Sequence, residues 1–319
     1  MNRMANATRP AAASLSEHRR ALAIDVVSVQ SQVVYGRVGN NAAVPTLQAL
    51  GLSVAAVPTV VYSNIPSYPT MHGGALPVEW FSGYLRDLSA RGALDALRAI
   101  QVGYLGGPAQ AHALADWLST VTCQHPKVKV IVDPVIGDED HGVYGIDGTA
   151  EVYRTRIMTL ANGLTPNGFE LGQLVGYPVH DMDAVVSAAR SLLVGRTEWI
   201  AVTSAAPATW EPGEMKVALV TRDCAHVVSH PRIGIALAGT GDLFSAAVTG
   251  HWLTAASLPD AVANACKRVL ASLHRTEDAH SKELLLPDPS MDFSDESIIL
   301  SEIPGRRAAS PYMNPIQWN

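Results

Sequence analysis

Short apolar runs rich in Val and Ile recur along the chain, most of them followed by a segment of helical period, and this alternation restricts the fold more than any other feature. The strand-like runs are Ala21–Val29, Leu52–Val61, Ala99–Leu105, Val128–Val132, Gly163–Thr165 and Trp199–Thr203. Between them the helical periods fall at Asn41–Leu50, Pro77–Ala90, Pro108–Thr122, Ala150–Leu160, Phe169–Val175 and Asp183–Leu193. Strands that are apolar on both faces belong in a mainly parallel sheet with helices packed on either side. A hairpin-like pair follows, Lys216–Thr221 and His226–Ser229, and then two helices, Asp242–Ala255 and Pro259–His274. With no repeat at solenoid spacing, one domain is the economical reading, spanning residues 21–286. Residues 1–20 lack the apolar stretch of a secretory signal and read as a disordered tail. From Ser281 onward Pro287, Pro289, Pro304, Pro311 and Pro315 interrupt any helical period. Residues 287–319 therefore read as an extended tail that wraps the body or docks on a second subunit.

Composition removes several classes of function. Apolar residues make up 48% and charged residues 16%, so a sizeable core is available and wholesale disorder is not expected. A net charge of −6 argues against a nucleic-acid or membrane-surface partner. No apolar run approaches the ~20 residues of a membrane span. The three cysteines, Cys123, Cys224 and Cys266, are far apart, a pattern of reduced, buried thiols in a cytoplasmic protein. The eleven histidines form neither HxH nor HExxH spacing, which disfavours a zinc enzyme, and His72, His141 and His180 fall in loops. Ser31 and Ser204 lack the setting of a hydrolase nucleophile. Trp80, Phe81 and Tyr84 are expected to share a helix face that packs in the core or against a second subunit.

The strongest chemical signal is Gly239-Thr240-Gly241-Asp242 directly before a helix. Glycines let the backbone approach a ligand, and the helix start adds unpaired N–H groups and a positive dipole end, together suited to a phosphoryl group. Asp242 at that junction can accept a proton from an attacking hydroxyl, or can simply cap the helix. Upstream, Asn167 and Glu170 are three apart at another helix start, placed to hold waters around Mg²⁺ or to form a capping box. Asp133 ends an apolar strand before Pro134-Val135-Ile136-Gly137-Asp138, and Thr203 and Ser204 end another; each also reads as a turn residue. Asp133, Thr165 with Glu170, Thr203 and Asp242 all follow strands, at the sheet edge where open α/β folds bind ligands. One shared site explains four such endings better than four coincidences.

These residues resemble the ribokinase superfamily and, within it, the pyridoxal kinases of the bacterial type. The resemblance runs from Ala21 to Leu286. It rests on Ser31-Gln32-Val33-Val34-Tyr35-Gly36 with Val38-Gly39-Asn40, on Asp133 to Asp138, on Thr165-Pro166-Asn167 with Glu170, on Val202-Thr203-Ser204, and on the Gly239–Asp242 loop. Val57-Pro58-Thr59, Ser63-Asn64, Trp80 to Leu85 and Gly103-Tyr104 agree with it. It implies an α/β, ribokinase-like three-layer sandwich, a central mostly parallel sheet flanked by helices, assembled as a homodimer. The implied activity is ATP-dependent phosphorylation of the 5′-hydroxymethyl group of pyridoxal, pyridoxine and pyridoxamine, giving pyridoxal 5′-phosphate in vitamin B6 salvage.

By matching position the resemblance implies that Ser31, Thr59, Ser67, Tyr104 and Asp242 meet the vitamer. It implies that Asp133, Thr165, Thr203, His230, Arg232 and Thr240 hold ATP, and that Tyr144 and Glu170 serve the metal. Asp242 becomes the base, assisted by Gly239 and Gly241. Mg²⁺ is the implied cofactor, and a monovalent cation is left open. Two positions depart from the family: Ser67 stands where a histidine often contacts substrate, and Gly234-Ile235-Ala236-Leu237-Ala238 is apolar for a loop folding over nucleotide. A hydroxymethylpyrimidine kinase of thiamine synthesis and a non-catalytic vitamin-phosphate binder are the alternatives.

Overall fold

Neighbouring residues of the central strands point into opposite layers, and both layers are apolar. The computed structural model describes residues 21–254, 256–288, 293 and 296–303. Its strands are β1 (Val26–Val33), β2 (Val54–Tyr62), β3 (Gly73–Ala75), β4 (Ala99–Val102), β5 (Lys129–Val132), β6 (Gly137–Asp138), β7 (Gly142–Val143), β8 (Gly163–Leu164), β9 (Trp199–Val202), β10 (Glu214–Thr221), β11 (Ala225–Pro231) and β12 (Ile299–Glu302). The helices are α1 (Asn40–Ala49), α2 (Val78–Ala90), α3 (Pro108–Gln124), α4 (Thr149–Val152), α5 (Gly168–Val175), α6 (Met182–Ser191), α7 (Thr240–Leu253) and α8 (Leu258–Asp278). Val27, Ile100 and Val130 face one layer with Phe81, Leu114, Leu118, Leu171 and Val185 from α2, α3, α5 and α6. Val26, Ala99 and Ile131 face the other, with Ala43, Leu47, Val248 and Val262 from α1, α7 and α8. The period of two along a strand produces this division. Each fully buried Val or Leu contributes about 1.5–3 kcal/mol.

Among the described residues the main sheet has ten strands in the order β12-β11-β10-β9-β8-β5-β4-β1-β2-β3. Strands β2, β1, β4, β5, β8 and β9 run parallel, so their carboxyl ends share one edge. The outer pairings, β9 with β10, β10 with β11, β11 with β12 and β2 with β3, are antiparallel. This is the expected three-layer α/β sandwich.

Several details differ from expectation. The helix expected over Ala150–Leu160 is α4 followed by a wide π turn at Tyr153–Ile157 and a tight turn at Met158–Leu160. Tyr153 is buried in that turn and donates its hydroxyl to the carbonyl of Gly103. Phe81 is fully buried, whereas Trp80 and Tyr84 are 59% and 41% exposed, so the three do not share a face: 80 and 84 align one turn apart and 81 lies round the helix. The thiols are not uniformly buried either, since Cys123 at the end of α3 is exposed and Cys224 is half-buried. Part of the expected tail, Ile299–Glu302, adds an antiparallel edge strand to β11, so the chain wraps back onto its own sheet. The expectation for residues 1–20 lies outside the described residues. No helix among the described residues is long and apolar enough to cross a membrane.

Candidate active site

The loop before α7 is shaped by backbone. Gly239 adopts φ 94°, a left-handed conformation, and a Cβ there would collide with the carbonyl oxygen of Arg37 in the β1–α1 connection. Leu243 N–H donates to the carbonyl of Gly239, closing the first helical turn and leaving the N–H groups of Thr240, Gly241 and Asp242 outside the helical ladder. Those amides, at the positive end of a largely buried 14-residue helix, have the chemistry to receive an anion. Thr240 turns its hydroxyl back to the carbonyl of Leu237.

Asp242 sits in this first turn and is half-buried. Burial pushes its carboxyl above the usual range, and the nearby Gly39 N–H opposes the rise. Asp133 follows β5 and faces the same loop, its Oδ2 3.7 Å from where a Cβ on Gly241 would stand. Burial pushes Asp133 well above the carboxylate range, the charges of Glu170 and Asp242 push the same way, and the Val135 N–H pulls back. The structure thus brings together carboxylates from three separate elements.

Glu170 adds a function that sequence reasoning separated into alternatives. It closes a capping box with Asn167, accepting the Asn167 N–H on Oε2 at 2.9 Å while the Asn167 side chain accepts the Glu170 N–H. Its Oε1 accepts the N–H groups of Ile136 at 2.8 Å and Gly137 at 3.4 Å. The same side chain therefore caps α5 and pins the loop after Asp133. Burial raises it to about 7 against these amides, with Asp138 adding to the rise. The hydroxyl of Tyr144, an exposed residue directly after β7, is pushed up by partial burial and then by the charges of Glu170, Asp138, Asp133 and Asp242.

The remaining predicted residues divide by location. Thr165 is buried and donates its hydroxyl to Ser245 Oγ at 3.1 Å, tying the end of β8 to α7. Thr203 extends β9 through a bridge to Asn167. His230 is buried at the end of β11, with Nδ1 2.9 Å from the carbonyl oxygen of Pro231, and burial lowers its value. Arg232 is exposed, 5.8 Å from the ring of Trp210. Ser31 is half-buried late in β1, at the turn where Gly39 packs on it. Thr59 has no exposed surface; its hydroxyl donates to the Tyr104 carbonyl at 2.7 Å, so it touches the crevice by way of half-buried Tyr104. Ser67 is exposed on the loop between β2 and β3.

Sequence reasoning missed several contributors. Gly39 acts through its backbone, for which only the Val38-Gly39-Asn40 turn gave a signal. Gln110 ties the carbonyls of Thr59 and Leu76 with its Nε2 and the Gly106 N–H with its Oε1. Ser245 and Tyr153 carried no motif. Beside Tyr104 and Tyr153 lies a cavity of about 210 Å³, bordered also by Val135, Ile136, Ile146 and Thr149.

Comparison with known proteins gives this arrangement a family. The phosphomethylpyrimidine kinase family model matches residues 39–284. The pyridoxine/pyridoxal/pyridoxamine kinase of Bordetella pertussis is 55% identical over 268 residues, covering 84% of this chain and 95% of that protein. The chain belongs to the pyridoxal kinase family. Pyridoxal kinase PdxY of Rubrobacter xylanophilus is 33% identical, over 82% of this chain and 91% of that protein. Among solved structures, the pyridoxal kinase of Leishmania donovani in complex with ADP and ginkgotoxin superposes with a TM-score of 0.79 at 26% identity, covering 88% of this chain and 99% of that one. The fold of this kinase is accordingly ribokinase-like, and the carboxylates and the Gly239–Asp242 loop lie at the edge where its parallel strands end.

Proposed function

We propose that this kinase transfers the γ-phosphoryl group of ATP to the 5′-hydroxymethyl oxygen of pyridoxal, pyridoxine and pyridoxamine. The observation that carries the reading is Asp242 in the first turn of α7, beside the amides outside the helical ladder and on the loop that the Asp133 carboxylate faces. The kinship with a pyridoxine/pyridoxal/pyridoxamine kinase supplies the substrate class.

In this mechanism Asp242 takes the proton of the 5′-hydroxyl as its oxygen attacks phosphorus and the bond to the ADP oxygen breaks. A raised value makes the carboxylate a better base near neutral pH. The amides of Thr240, Gly241 and Asp242 stabilise charge on the transferring group, the larger share of catalysis in such transfers. Ser31, Tyr104 and Ser67 position the vitamer, and Thr59 holds Tyr104. Thr165, Thr203, His230, Arg232 and Thr240 border the nucleotide, and Asp133 faces its phosphates.

The donor set fits Mg²⁺ bound in company with nucleotide. Among the described residues no group of three side chains forms a ready metal cage, as expected of an ion that keeps waters and takes phosphate oxygens. Asp133, Glu170 and Tyr144 would hold it through such waters, Asp133 foremost because both oxygens of Glu170 already accept backbone amides. Bound there, the ion neutralises the phosphates and screens the carboxylates from one another. A monovalent cation would serve the same electrostatic need.

A homodimer and a cytoplasmic location complete the proposal. Val34, Tyr35, Val61, Trp80 and Tyr84 leave apolar surface exposed at the β2–β3 end of the sheet and on the outer face of α2, suited to a second copy. The second reading, phosphorylation of hydroxymethylpyrimidine, is favoured by the description of the matching family model. Measuring ADP release with the three vitamers and the pyrimidine alcohol separates the two. Turnover of the pyrimidine alone would refute the proposal.

A further inference from the structure

The loop between β2 and β3 carries Ser67 at its exposed tip, and its base is closed by its own bonds. Ser63 N–H donates to the carbonyl of His72 at 2.7 Å, and Asn64 Nδ2 donates to that of Thr70 at 2.8 Å. At the tip, Tyr68 reaches out of the loop: its hydroxyl donates to Glu283 Oε1 at 2.7 Å. Tyr35 packs edge-on against the Tyr68 ring with centroids 5.9 Å apart.

Glu283 is built into its place. It is 9% exposed, and its segment is pinned to the end of α8. Ser281 Oγ donates to the Glu283 carbonyl at 2.7 Å, Leu285 N–H donates to Thr276 Oγ1 at 2.9 Å, and Leu284 is buried. Gly36, at φ +119°, makes room for the carboxylate: a Cβ there would lie 2.8 Å from Glu283 Oε2. Burying a carboxylate is costly unless its oxygens are used, and no ion pair among the described residues includes Glu283. Its neighbours are two segments of the vitamer side, the Tyr35-Gly36 turn that continues from Ser31 and the loop that carries Ser67.

We propose that Glu283 is a positioning residue of the vitamer pocket, whose carboxylate holds the Tyr68 hydroxyl and so fixes Ser67 relative to Ser31. This rests on the reading of Ser31 and Ser67 as vitamer contacts. A loop ordered beforehand spares the substrate the entropy of ordering it, so the contact acts on binding and not on the chemical step.

The test compares Tyr68→Phe, Glu283→Ala, Glu283→Gln and the Tyr68→Phe/Glu283→Ala double variant. Losing the bond raises KM for pyridoxal about 5–20-fold, with kcat and KM for ATP within about twofold. Glu283→Gln, which keeps an acceptor, restores most of the affinity, and the double variant is no worse than the weaker single one. Hydrogen exchange provides a readout that needs no turnover: amides 63–72 exchange faster in Tyr68→Phe while those of α7 do not change. Unchanged pyridoxal KM, a matching loss of kcat and ATP affinity, Gln no better than Ala, or unaltered exchange at 63–72 each overturns the proposal. If the natural protein turned over no vitamer, the reading of the site would fall, and the exchange result would decide the Tyr68–Glu283 contact by itself.

Discussion

The backbone N–H of Gly39 lies close enough to the carboxylate of Asp242 to oppose the upward push of burial. The β1–α1 connection that provides this donor also provides the Arg37 carbonyl against which Gly239 packs. Both ends of the Gly239–Asp242 loop are therefore set by main chain from the opposite end of the sequence.

Asp242→Asn keeps the shape of the side chain and removes its basicity. Turnover falls by ~10²–10⁴-fold while nucleotide affinity stays within a few-fold. Single-turnover phosphorylation alongside an ATP titration measures the two. Turnover close to that of the natural protein would remove Asp242 from the chemistry.

Gly239→Ala places a Cβ on a left-handed backbone position and against the Arg37 carbonyl. The variant loses about 1–3 kcal/mol of stability, or moves the loop to avoid the collision and loses activity. Denaturant unfolding and an activity assay together check this; a variant that is normal in both contradicts the packing.

Trp80→Glu puts a charge in the exposed apolar surface of α2. If that surface joins two copies, the variant sediments as a monomer at concentrations where the natural protein is a dimer, with its fold unchanged by circular dichroism. Identical sedimentation of the two proteins removes this surface from the interface.

Much of this site was legible because strands buried on both faces are unbroken apolar runs, so the first polar residue after each run marks the sheet edge. Asp133, Thr165 and Thr203 were found that way, and the Gly239–Asp242 loop was marked by its glycines. What escaped was carried by groups without a side-chain signature or by distant pairs. The Gly39 donor is a backbone amide. The bonds from Glu170 to Ile136 and Gly137 join segments 34 and 33 residues apart, and Tyr68 and Glu283 are 215 apart. β3 is a three-residue strand containing two glycines, and β12 is a short run among prolines, so neither shows a usable period. The π turn at Tyr153 accompanies a bond to the Gly103 carbonyl, 50 residues away, which periodicity in 150–160 does not encode.

The carboxylate cluster also sets a dependence of stability on pH. Asp133, Glu170 and Asp242 all have raised values in the fold, chiefly through burial. Such a group binds its proton more tightly folded than unfolded, so its contribution is fully present while it stays protonated in both states. It is lost as pH climbs from the unfolded value, 4.5 for Glu, through the folded one, about 7 for Glu170. His230 and His251, both lowered by burial, act in the opposite sense over part of that window. The informative quantity is therefore the difference between Asp133→Asn and the natural protein, free of metal and nucleotide. Asn at 133 carries no charge against Glu170 and Asp242, so near pH 8 the variant is more stable by about 1 kcal/mol, a rise in Tm of about 2–4 °C. The difference narrows toward about pH 4, where Asp133 in the natural protein keeps its proton. Mg²⁺ with nucleotide reverses the order, because it stabilises the natural protein and leaves the variant nearly unmoved. Thermal melts at several pH values, with and without MgATP, measure this, and an Asp133→Asn protein that melts below the natural one at pH 8 without ligand would show that the carboxylates do not repel one another in the crevice.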